Sequence, residues 1–276
     1  MAVLAKLPGR VEIQEDVVFG TGGGRDLKCD VFLPPDDRQD RVGILILHGG
    51  GWSSGDKSQL KGYGVQLARY GYVCVCSEYR LSGEAAWPAQ IHDVKAALRW
   101  MRANAASLGL DPNRIAVTGN SAGAHLSLML AATPGDAEFE GEGGSPGMDT
   151  SVATCVAIYP PTLIRASGNP DSAIDRLFGS SDVSDATQHR ASPIAWVAPD
   201  FPPTMLIHGN SDMTVPVTAS FEMYRALAEK GAKVEMHIYE GAPHAFDSLP
   251  EFGRQVADMI ALFVDRQLVE SRFPQE

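Results

Sequence analysis

Ile115-Ala116-Val117-Thr118-Gly119-Asn120-Ser121-Ala122-Gly123-Ala124-His125-Leu126 decides the fold. Ile115–Thr118 is a short run apolar enough for a buried strand. Ala122–Ala132 is small and apolar nearly all round, as a helix buried under a sheet would be. Between them, Gly-x-Ser-x-Gly marks a tight strand-to-helix turn, because the neighbouring backbone comes too close for a Cβ at either glycine. Such a turn lifts the Ser121 hydroxyl clear of the sheet and sets it at a helix N-terminus, where the dipole favours developing negative charge.

The pattern repeats on both sides of this unit. Val42–Leu47, Tyr72–Cys76, Val152–Ile158, Thr204–Ile207 and Val234–Ile238 are apolar runs suited to central parallel strands covered on both faces. Helical stretches alternate with them at Gln59–Tyr70, Ala89–Leu108, Val217–Lys230 and Phe252–Val269. The opening, Val11–Phe19 and Leu27–Leu33 around the turn glycines Gly20, Gly22, Gly23 and Gly24, reads as an antiparallel hairpin at the sheet edge. No helix follows these glycines, so they are not a dinucleotide fingerprint. The expected fold class is α/β: one domain over 1–276, a mostly parallel sheet of about eight strands with helices on both faces, antiparallel strands at its N-terminal edge and no large cap domain. Thr133–Thr150, rich in Gly, Pro and acids, reads as a surface loop. Residues 160–203, with a short helical piece near Ala173–Phe178, read as a segment covering the substrate.

With 44% hydrophobic residues the chain has ample material for a core, which excludes intrinsic disorder. A formal net charge of -11 opposes phosphate backbones and anionic lipid, so neither nucleic acid nor a membrane surface is an expected partner. The oligomeric state is left open by composition. Cys29, Cys74, Cys76 and Cys155 form no C-x-x-C pair and read as buried small hydrophobes. Charges and Pro8 interrupt the N-terminal stretch, so no signal peptide is visible. A cytoplasmic location is the simplest expectation, a trimmed secreted form being the alternative. No His/Cys/Asp/Glu cluster has metal-ligand spacing, and neither a metal nor another cofactor is expected.

Four loops, each just past a strand, carry the chemistry. Beside the serine turn there is His48-Gly49-Gly50-Gly51-Trp52, where a glycine run can aim bare backbone N–H groups at an oxyanion. Gly50 and Gly51 are the expected donors, with Ala122 as a third; His48 reads as a structural holder of the loop. The other two are His208-Gly209-Asn210-Ser211-Asp212 and Gly241-Ala242-Pro243-His244. Parallel strands put all of these loops on one sheet edge. The order Ser121, Asp212, His244 then supplies a nucleophile, an acid that orients the base, and a base that titrates near neutrality. Rivals are weaker: His125 lies inside a helix, Asp247 follows His244 too closely, and the strand of Glu78 precedes the serine turn.

These motifs, with Glu78-Tyr79-Arg80-Leu81, Trp87-Pro88-Ala89-Gln90, Asp111-Pro112-Asn113-Arg114, Tyr159-Pro160-Pro161-Thr162 and Ala191-Ser192-Pro193, resemble the esterase/lipase branch of the α/β-hydrolases across nearly the whole chain. The strand-like opening before His48 is similar to the capless xylan acetyl/feruloyl esterase-like group rather than to the hormone-sensitive-lipase-like enzymes, which carry a helical cap sequence there. The resemblance implies a serine carboxylesterase of the acetylesterase or carbohydrate esterase type. It would act on short-acyl small-molecule or oligosaccharide esters, such as acetyl or feruloyl groups on plant-derived sugars. The implied cleft is open and walled by Trp52, Trp87 and residues 160–203. An amidase or formamidase on the same triad, or a non-catalytic receptor of this fold, are the alternatives.

Overall fold

The computed structural model describes residues 5–36 and 41–269; residues 1–4, the start of the N-terminal stretch weighed above as a signal, lie outside them. The chain builds one eight-stranded sheet. It opens with β1 (Glu12–Gly22), β2 (Arg25–Leu33) and β3 (Arg41–Leu47), followed by α1 (Lys61–Ala68), β4 (Val73–Ser77), α2 (Ala89–Ala103) and α3 (Ala105–Leu108). Next come β5 (Leu110–Asn120), α4 (Ala122–Ala132), α5 (Ala137–Glu140), β6 (Thr154–Ile158), α6 (Ala173–Phe178) and α7 (Asp185–Arg190). The chain continues with β7 (Thr204–Gly209), α8 (Thr218–Glu229), β8 (Val234–Tyr239) and α9 (Pro250–Leu268). The strand order is β1-β2-β4-β3-β5-β6-β7-β8. β1 pairs with β2, and β2 with β4, antiparallel; every other neighbouring pair is parallel.

The alternation of side chains along β3 sorts the core into two layers. Leu45 and Leu47 face Val94 of α2, Leu126 of α4 and Met223 and Leu227 of α8. Ile44 and Ile46 face Leu67 of α1 and Ile260 and Val264 of α9. A strand buried on both faces needs apolar or small residues on both, and Val42–Leu47 of β3, Val73–Cys76 of β4 and Cys155–Ile158 of β6 supply them. The four cysteines are free and buried. Burial pushes the Cys29 thiol up to about 12 and the other three higher still, so they behave as small hydrophobes.

Two segments depart from the sequence reading. Residues 133–150 are not a free surface loop: Phe139 on α5 is fully buried, and Glu140 accepts hydrogen bonds from the buried Lys95 (2.8 Å) and from Arg99 (3.0 Å) on α2. One aromatic side chain and one carboxylate paired with two cations tie down a stretch whose composition reads as loop. Residues 160–203 hold a second helix, α7, and a 3-10 turn at Pro193–Trp196. Their buried side chains Ile164, Leu177, Ala191 and Phe201 join the core layer of α4.

Candidate active site

The backbone carbonyls of Leu47 and His48 close on the serine turn and leave no room for a Cβ at either of its glycines. A Cβ on Gly119 would lie 2.5 Å from the Leu47 oxygen, and one on Gly123 would lie 2.1 Å from the same atom. Ser121 itself sits at φ 51°, ψ -117°, a region few non-glycine residues occupy. Its N–H donates to the Ile158 carbonyl of β6 (2.9 Å), which fixes the turn against the neighbouring strand.

Asp212 and His244 come from the loops after β7 and β8, and these loops are cross-linked. The Asn210 side-chain oxygen accepts from the Gly241 N–H (2.8 Å), and the Ser211 N–H donates to the Ala242 carbonyl (3.1 Å). As a result the three residues meet. His244 Nδ1 lies 2.6 Å from Asp212 Oδ2, and His244 Nε2 lies 3.0 Å from Ser121 Oγ. Because Nδ1 faces a carboxylate it carries the proton, leaving the Nε2 lone pair aimed at the serine hydroxyl. Asp212 is itself buried, and its Oδ1 accepts from the N–H groups of Thr214 (2.8 Å) and Val215 (2.9 Å). This arrangement can take a proton from Ser121 and hold the resulting imidazolium.

Gly50 and Gly51 line the same cleft as Ser121 and His244. Gly50 adopts φ +109°, and a Cβ there would lie 2.1 Å from the Ser54 oxygen, so the loop admits only glycine. Ala122 is the first residue of α4, where a backbone N–H has no intrahelical acceptor. His48 holds the loop as its position suggests: Nδ1 lies 2.8 Å from the Gly49 carbonyl oxygen, and its ring stacks on Tyr79 at 4.3 Å. Tyr79 Oη donates to the His48 carbonyl (2.9 Å).

The cleft has a volume of about 840 Å³. Its walls correct the sequence reading. Trp52 and Trp87 do not line it; both are buried on the α4 side of the sheet, with rings 5.2 Å and 5.6 Å from that of His125. Trp52 has φ +56°, a conformation the apolar pattern cannot signal, and its indole N–H donates to His125 Nδ1 (3.3 Å). Residues 160–203 do not line the cleft either; Ile164, Leu177, Ala191 and Phe201 are buried in the core layer of α4 instead. The walls come instead from α1 and its approach (Gln59, Tyr63, Gln66) and from the turn into α9 (Asp247, Ser248, Arg254).

Sequence reasoning missed the residues beneath the triad. Tyr159, in a strained φ of 42°, lays its ring 4.6 Å from that of His244. Its hydroxyl accepts from Asn120 Nδ2 (3.0 Å) and donates to Asp247. Asp247 also accepts from Tyr63 Oη (2.9 Å), and burial pushes its carboxyl above the usual range. Asp247 thus belongs to a tyrosine network and not to His244. Glu78 is taken by Arg25 (2.7 Å) and the Lys28 N–H (2.8 Å). His125 is buried, and burial pushes its imidazole down to about 4, so it stays neutral and away from the hydroxyl. The Tyr159-Pro160-Pro161 stretch was the one sequence signal for this understructure.

The fold is that of the α/β-hydrolases of the esterase/lipase family. Residues 29–227 match the BD-FAE family, and the chain belongs to it. The Mycobacterium tuberculosis esterase LipC is 35% identical over 81% of this chain and 58% of its own length. The chain spans 58% to 61% of the length of the first curated relatives it matches. Among solved structures, a truncated carbohydrate esterase from gut microbiota superposes with a TM-score of 0.82 at 25% identity, covering 94% of this chain and 99% of that one. A propionate-bound thermophilic esterase from Thermogutta terrifontis superposes with a TM-score of 0.78 at 26% identity, covering 96% and 97%.

Proposed function

We propose that the protein is a serine carboxylesterase acting on short-acyl esters, with the alcohol part a sugar or another polar group. The observation that carries the reading is the continuous hydrogen-bonded line Ser121–His244–Asp212 opening onto a cleft beside a glycine loop. Ser121 Oγ attacks the ester carbonyl carbon while His244 Nε2 takes its proton. The N–H groups of Gly50, Gly51 and Ala122 stabilise the oxyanion, and Asp212 stabilises the imidazolium. The intermediate collapses to an acyl-serine as His244 returns the proton to the departing alcohol. A water molecule, activated by the same imidazole, then releases the acid.

Short acyl groups are supported by the similar esterase whose structures hold propionate and butyrate. A polar alcohol is supported by the cleft, whose volume of about 840 Å³ far exceeds an acetyl group and whose walls offer Gln59, Gln66, Thr214, Ser248 and Arg254. The relatedness to a carbohydrate esterase points the same way. Acetylated xylo-oligosaccharides and p-nitrophenyl acetate, assayed side by side with Ser121→Ala as blank, test both parts. Release from both substrates supports a cleft shaped for sugars, and turnover of the nitrophenyl ester alone removes the sugar. Ser121→Ala should fold and lose turnover; retention of more than about 1% sinks the nucleophile assignment. A matched ester and anilide of one acyl group separate an esterase from an amidase.

A further inference from the structure

Asp212 is gripped from behind as well as in front. His208, the last residue but one of β7, is fully buried. Its Nε2 lies 3.3 Å from Asp212 Oδ2, the oxygen that His244 also contacts, and 2.9 Å from the Val215 carbonyl oxygen. Both neighbours are acceptors, so Nε2 carries a proton. Its Nδ1 lies 2.8 Å from Oγ of Ser220 on α8, which is also buried. Burial keeps the imidazole pKa below its ordinary value, so the ring is neutral and Ser220 donates to Nδ1. The hydrogen bonds therefore converge on one carboxylate from two sides: Ser220 to His208 to Asp212, and Ser121 to His244 to Asp212.

We propose that His208, braced at Nδ1 by Ser220, is a positioning residue that shares the charge on Asp212 Oδ2 and fixes the plane of the carboxylate facing His244. The proposal rests on the serine-hydrolase reading above. Without His208, Oδ2 has His244 as its one remaining side-chain donor. The undiluted charge then pulls harder on that imidazole, which is protonated more readily and lost as a base at higher pH. The other groups facing the pair are Tyr159 at the end of β6, with its ring 6.3 Å from His208 and 4.6 Å from His244, and Asp247 in the turn before α9, held by Tyr63 and Tyr159. None of them donates to Asp212 in the structure, so none replaces His208.

The test is kcat/KM for p-nitrophenyl acetate as a function of pH in the wild type, His208→Leu, His208→Gln and Ser220→Ala. His208→Leu should lower the plateau about fivefold and move the acid limb up by about half a pH unit. Gln carries an amide N–H near the place of Nε2 and should bring the limb back toward the wild type. Ser220→Ala, which removes the brace on Nδ1 and lets the ring shift away from Asp212, should move it the same way by less, and decides the matter if His208→Leu does not fold. A limb that stays put in both His208→Leu and Ser220→Ala, whatever happens to the thermal midpoint, overturns the proposal. Ser121→Ala in the same assay guards the premise: its turnover would overturn the serine mechanism and not the role of His208.

Discussion

Gly123 shows how little the serine turn tolerates. Alanine usually favours a helix over glycine by about 1 kcal/mol, so helix propensity alone predicts that Gly123→Ala stabilises α4. The added Cβ would lie 2.1 Å from the Leu47 oxygen and 2.5 Å from that of His48. Both are backbone atoms at the end of β3, held by its neighbours on either side, and cannot swing away as a side chain would. The steric cost wins. Gly123→Ala should lose about 3 kcal/mol in urea unfolding and most of its turnover, since any relief shifts the glycine loop against Ser121. A wild-type unfolding midpoint in this variant would show that β3 yields there. Ser121 at φ 51° belongs to the same constraint: its N–H and the two flanking glycines hold it in a region its own side chain disfavours.

At the scale of elements, the pinned segment 133–150 makes the sharpest prediction. Lys95 on α2 is buried, and burial lowers its pKa while Glu140 opposes the shift. Glu140→Ala removes the carboxylate shared by Lys95 and Arg99 and leaves two poorly solvated cations side by side. Loss of about 3 kcal/mol is expected in urea unfolding, with early protease cleavage between α4 and β6. A variant as stable as the wild type would mean that Thr133 and water satisfy Lys95 unaided. This segment also marks where the sequence stopped being legible. Sequence patterning located all eight strands and the five long helices, because the inner strands, buried on both faces, leave apolar runs and the edge hairpin is marked by its turn glycines. It missed α5 and α7, of four and six residues, too short to show a full period, while α6, equally short, was read from Ala173–Phe178. The chain order of the three strand-end loops foretold Ser121, His244 and Asp212 meeting, since parallel strands leave one edge for all of them. The cleft walls were not foretold. Whether Trp52 faces a cleft or the core depends on a positive φ, and whether α1 or residues 160–203 line the cleft depends on packing between distant elements.

For the molecule as a whole, three buried histidines at three separate places in the fold link folding to pH in the same direction. His48 follows β3, His125 lies in α4 and His208 in β7, and burial lowers the pKa of each. In the unfolded chain each titrates near 6.5. Between the folded and unfolded values the unfolded state binds more protons, so the stability each neutral ring contributes is complete above pH 6.5 and is lost as pH falls toward its folded pKa. Asp247, with a raised pKa, works the other way: between its unfolded and folded values the native state holds the extra proton, which offsets part of the loss. For His125, pushed down to about 4, the contribution lost by pH 5 is about 2 kcal/mol. His125→Gln can still accept from the Trp52 indole and donate to the Ala191 carbonyl, the two bonds His125 makes, but it takes up no proton in this range. The wild type should therefore lose more stability than His125→Gln between pH 7 and pH 5, by about that amount, in urea unfolding at each pH. If both lose the same, the acid sensitivity of the fold lies in His48, on the glycine loop beside Ser121, and in His208, behind Asp212, and activity should fail with falling pH before α4 does.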